Sequence, residues 1–124
     1  MTFVAVVEGD AGGWRVEGGA LTKVIQARWT DVGIDSSARG GAARSLIWEL
    51  DTANGPGEAY LHEDGTCLYM DVWEEEAVWL AIAFRRLTPT HLDLVFCDES
   101  YTFDVRVPAG TTEVELMALV KAAG

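Results

Sequence analysis

The chain lacks any apolar run near the roughly 18–20 residues of a membrane crossing, so no spanning helix is expected. It is also poor in cations. Nine Lys and Arg stand against 20 Asp and Glu, a formal net charge of −11. Such a surface repels a phosphate backbone and an anionic lipid leaflet, so neither nucleic acid nor a membrane is an expected partner. A basic protein partner, or simple solubility, fits better. Cysteine is scarce, with Cys67 and Cys97 far apart and no CxxC pair, which excludes a zinc ribbon or a thioredoxin-type centre. The Gly-rich stretches at 9–13, 18–19 and 39–41 match neither GxxxxGK[ST] nor a strand-turn-helix GxGxxG. There is no Gly-x-Ser-x-Gly elbow, and Ser36, Ser37, Ser45 and Ser100 have no histidine near them in sequence. No cofactor or metal is therefore expected. The opening MTFVAVVEGD carries Glu8 and Asp10 where a signal peptide would carry Lys or Arg, which points to a cytoplasmic protein with reduced thiols. Arg outnumbers Lys seven to two and Ala and Gly are abundant, as in a GC-rich bacterial genome.

What is present is a chain of 124 residues, 49% hydrophobic, which suits a single domain over 1–124. TFVAVVE at 2–8 has the β-branched, apolar character of a strand, free to extend either sheet edge or to pair with a second chain. Leu21, Val24, Ile25 and Trp29 fall at helical spacing and predict a helix at about 19–29. Residues 33–44 are small, polar and Gly-rich, and read as a loop. SLIWELD at 45–51 reads as a strand, and ANGPG at 53–57 as a turn. In EAYLHEDGTCLYMD, Asp64-Gly65 predicts a two-residue hairpin that sets Ala59 against Met70, Tyr60 against Tyr69, Leu61 against Leu68 and His62 against Cys67.

EEEAVWLAIAFRRL at 74–87 is the clearest helix, with glutamates at its start and arginines at its end to match the helix dipole. Its apolar stripe of Leu80, Ala83, Phe84 and Leu87 is widened by Val78, Trp79 and Ile82, so the helix is either sandwiched or part of an interface. In the second hairpin, the expected pairs are Phe96 with Phe103, Leu94 with Val105, Asp93 with Arg106 and Cys97 with Thr102. Tyr101 is grouped there with the core-facing residues. Thr112 and Glu115 form a capping box ahead of a last helix whose inner stripe is Leu116, Leu119, Val120 and Ala123.

The order β-α-β-β-β-α-β-β-α implies a two-layer α+β domain, an antiparallel sheet of about five to six strands with the helices mainly on one face. From the first helix onward, over about four-fifths of the chain, this order resembles type III secretion chaperones, by topology and without a shared motif. In size, charge balance, exposed aromatics and the DGTCLYMDVWEEE and VFCDESYTFDV segments, the chain is similar to small acidic bacterial toxin-immunity proteins. Either resemblance implies a non-catalytic protein that binds another protein, a toxin or effector, and neither carries over a residue role.

The residues available for such binding are Trp73, Glu74, Glu75, Glu76, Trp79, Asp98 and Glu99, aromatic anchors within an acidic surface. An alternative is a small hydrolase or thiol enzyme using Cys97 with Asp98 or Glu99 and a histidine, His62 or His91. A third is a homodimer that buries Val78, Trp79 and Ile82. His62, Cys67, Tyr60 and Tyr69, with Glu58 and Asp71 further along, make too diffuse a set for zinc. A Cys67–Cys97 disulfide requires the two hairpins to be neighbours.

Overall fold

The computed structural model describes residues 2–35 and 44–123. In chain order the elements are β1 (Thr2–Glu8), α1 (Gly18–Arg28), β2 (Gly33–Asp35), β3 (Arg44–Thr52), β4 (Gly55–His62), β5 (Cys67–Asp71), α2 (Glu74–Leu87), β6 (Asp93–Asp98), β7 (Asp104–Arg106) and α3 (Glu113–Ala123). The strands form one antiparallel sheet in the order β2-β3-β4-β5-β1-β6-β7, so the α+β class expected from the element order holds.

Seven strands rather than five or six arise because Gly33–Asp35, read as loop, pairs with Ile47–Glu49 of β3. Short Gly-containing edge strands carry little hydrophobic periodicity, which is why this one is invisible in sequence. The remainder of the 33–44 stretch, 36–43, lies outside the described residues.

β1 is not an edge strand. It runs through the centre, bonded to β5 on one side and β6 on the other. Its alternation explains the position: Phe3, Ala5 and Val7 are buried against the helices and Val4 and Val6 are half-buried on the opposite face. A strand apolar on both faces, with backbone groups needing partners on both sides, is stable in a sheet interior.

The helices cover the face that carries Phe3, Ala5, Trp48, Ala59, Leu61, Leu68, Met70, Leu94 and Phe96. α2 lies over β1 and β5, with α1 against one flank and α3 against the other. This resolves its wide apolar surface: Val78 and Ile82 are buried, and Trp79 makes an edge-on contact with Trp29 at 5.2 Å. The expected dimer face on Val78, Trp79 and Ile82 is thus occupied within the monomer. In α3 only Leu116 and Val120 are buried, while Leu119 and Ala123 face solvent, a narrower stripe than expected. The Thr112–Glu115 capping box is formed in both directions, at 3.0 and 3.2 Å.

The first hairpin has the expected register, Ala59–Met70, Tyr60–Tyr69 and Leu61–Leu68. Its turn is longer than expected, because the Gly65 amide closes on the His62 carbonyl and Gly65 takes φ +70°. A longer loop centred on the same point leaves the pairing unchanged.

The second hairpin is shifted by two residues: Phe96 faces Val105 and Cys97 faces Asp104. The cause is Asp98, whose carboxylate accepts the Thr102 amide at 2.7 Å and the Thr102 hydroxyl, while Tyr101 adopts φ +54°. A slip of two keeps every side chain on its face. Phe103 packs diagonally on Phe96 and Phe3, and Arg106 reaches Glu8 at 2.6 Å and Asp93 at 3.6 Å. Tyr101, expected to face the core, is 74% exposed at the tip.

The hairpins are not neighbours, since β1 separates them. Two strand spacings put Cys67 and Cys97 at least about 9–10 Å apart. That is beyond the roughly 7 Å a disulfide spans, and both thiols are free.

Candidate functional site

Most of the expected binding residues converge on one end of the sheet, where β1 begins and β5 and β6 finish. Thr2 lies opposite Asp71, and Phe3 lies between Met70 and Asp98. From β5 the chain turns through Val72 and Trp73 directly into α2. Trp73 is the N-cap residue, with extended backbone and no side-chain cap, so the first turn relies on Glu74, Glu75 and Glu76 to complement the helix dipole.

These glutamates have different roles. Glu76 is buried, and its carboxylate accepts the Asn54 amide at 2.9 and 3.0 Å and the Thr52 hydroxyl at 3.2 Å. That network ties the β3–β4 turn to the head of α2. Glu74 and Glu75 remain exposed.

Trp73 is 48% exposed, and its ring rests on the β3–β4 turn: a Cβ added at Gly55 would come within 3.2 Å of it. Gly55 has φ +118°, so any side chain there would strain the turn as well as crowd the indole. Beside the ring opens a cavity of about 660 Å³ bordered by Phe3, Pro56, Glu58, Asp71, Trp73 and Glu74. An aromatic wall thus faces carboxylates, an arrangement suited to an apolar group that carries positive charge.

Of the other expected residues, Glu99 is exposed at the same end, its amide bonded to the Thr2 carbonyl at 2.8 Å. Asp98 is buried in its bonds to Thr102 and shapes the hairpin. Trp79 lies elsewhere, against Trp29 with the Arg28 guanidinium over both rings. Glu58 and Asp71 stood out in the sequence only as outlying members of the diffuse set around His62 and Cys67, and Pro56 only as a turn residue. Their place beside Trp73 depends on the chain reversal between β5 and α2.

Neither cysteine has the surroundings that activate a thiol. Cys97 is buried on the outer face, and burial, then Asp104 and Asp98, push its thiol up. Burial raises Cys67 to about 11, opposed by its hydrogen bond to Tyr69 and aided by Cys97 and Asp64. Tyr69, stacked on Tyr60 at 4.9 Å, is raised to about 12, chiefly by Cys67. A nucleophilic cysteine needs the opposite environment. His62 is engaged in its own turn, where Nδ1 accepts the Asp64 amide at 3.1 Å. Among the described residues, no cluster of three or more His, Cys, Asp or Glu could hold a metal.

Both thiols are therefore expected to alkylate slowly with iodoacetamide near pH 7.5, as followed by mass spectrometry. Rates at or above that of a free cysteine would contradict this. The sign for stability follows. A thiol near 9 in the unfolded chain and about 11 when folded favours folding fully below pH 9, and this contribution is lost as pH rises through 11.

No helix among the described residues is long and apolar enough to cross a membrane. Compared with protein-family models, with curated proteins and with solved structures, the chain matches none of them.

Proposed function

We propose that the chain is a non-catalytic, protein-binding module, immunity-like or chaperone-like, that works in the cytoplasm and holds a basic partner such as a toxin or effector. The contact lies at the Trp73 end of the sheet. The observation that carries this reading is the half-exposed indole of Trp73, held on the Gly55 turn at the mouth of an acidic cavity. Surface tryptophans in such settings anchor interfaces, and their affinity comes from desolvating the ring. The net charge of −11 acts through association rate and choice of partner.

A photo-crosslinking residue placed at Glu74, exposed beside the intact Trp73, in cells that carry the gene, tests this. One predominant basic protein should be captured from position 74 and not from His91, an exposed control residue after α2. The same products from both positions, or none from position 74, would overturn the reading.

A further inference from the structure

We infer that α3 is a self-association surface, on which a second copy of this chain docks antiparallel about a two-fold axis. α3 turns Leu116 and Val120 into the domain and presents another flank outward. On that flank Val114 is 81% exposed, and with Glu113, Met117, Ala118 and Lys121 it forms one wall of a groove of about 440 Å³. Glu75 and Val78 of α2 form the other wall. The five α3 residues recur at helical spacing along the whole helix, with apolar residues in the middle and one charge at each end. Ala118, near the centre, leaves room for another helix backbone to approach.

The charges select both the occupant and its direction. Glu113 stands at the N-terminal end of this flank and Lys121 at the C-terminal end, and the ion pairs of the described residues use neither. In a two-fold contact, if residue i meets residue j, then j also meets i. An axis beside Met117, midway between them, places Lys121 of each copy next to Glu113 of the other, so that two ion pairs form. Antiparallel docking also opposes the helix dipoles, whereas parallel docking would set Glu113 against Glu113 and Lys121 against Lys121.

Each copy carries −11, so most faces repel a second copy. A flank that holds both signs and a largely exposed valine is the surface that accepts one. α3 is only about 16 Å long, so the contact belongs with small, micromolar interfaces rather than obligate dimers. This surface is distinct from the Trp73 end, and either can fail without the other.

Sedimentation velocity of the full chain from about 5 to about 500 μM tests the assignment. Wild type should show a concentration-dependent monomer–dimer equilibrium. Glu113→Lys and Lys121→Glu should each weaken it by about tenfold or more, and the double variant carrying both should recover most of the loss. Both side chains are exposed, and the capping box uses Thr112 and Glu115, so the variants should fold, as circular dichroism would verify. Ala118→Glu, at the centre of the seam, should abolish the dimer and leave the fold intact. A monomer at every concentration, single variants that dimerise like wild type, or a double variant no better than the singles would overturn the proposal.

Discussion

Arg85→Met is expected to destabilise the domain by about 2–4 kcal/mol, the largest stability loss from any charged residue among those described. Arg85 lies in the last turn of α2, where a cation is ordinarily a solvent-facing complement to the helix dipole. Here it is 3% exposed and points inward. Its guanidinium donates to the Leu92 carbonyl at 2.8 Å, Val107 at 3.3 Å, Thr88 at 3.3 Å and Pro89 at 2.6 Å. One side chain thus holds the end of α2, the turn that follows, the approach to β6 and the exit of β7. Burial pulls its pKa below the ordinary guanidinium value, the sign of a desolvated cation, and the Nε–H has no partner. Removing that desolvation returns part of the loss, which keeps the estimate below the sum of four charge-assisted bonds. Arg85→Lys should fall between, since a point ammonium cannot reach four carbonyls spread around a planar fork. Urea unfolding followed by tryptophan fluorescence checks it, and a loss under about 1 kcal/mol would show that the bracket is dispensable.

Arg85 also marks the limit of what the sequence conveys. The helix 74–87 was legible to the residue because its periodicity, charges and Pro89 stop all agree. The first hairpin was legible because Leu61, Leu68, Ala59 and Met70 allow only one buried register. Which arginine turns inward depends on where β6 and β7 pass beneath the helix, and nothing local encodes that. The second hairpin slipped for a similar reason. Its apolar residues fit two registers of the same parity, and the choice was made by a side chain, Asp98, bonding to Thr102. β1 was recognised as a strand but not placed, because its partners are about 60 and 90 residues away along the chain.

The site divides along the same line. Trp73, Glu74 and Glu99 were legible as exposed anchors and charges, since the ends of helices and the tips of hairpins face solvent in almost any packing. Glu76 and Asp98 looked the same in sequence and proved to be structural, each consumed by hydrogen bonds across a turn. An acidic run at a helix start therefore overstates the charge available to a partner. Of the three glutamates, only Glu74 borders the Trp73 cavity; Glu75 faces the groove beside α3, and the other carboxylates of the cavity, Glu58 and Asp71, come from β4 and β5.

The central claim, that Trp73 anchors a basic partner, is tested most directly by calorimetric titration of the protein captured from position 74 into wild type and Trp73→Ala. The indole is half exposed and outside the core, so the substitution should leave the unfolding midpoint nearly unchanged. It should weaken binding by about 30-fold or more, the loss typical of a desolvated aromatic anchor. The wild-type affinity should also fall as salt is raised, as expected for charges of opposite sign meeting at a partly exposed surface. A Trp73→Ala affinity within about twofold of wild type, with the variant folded, would contradict the claim.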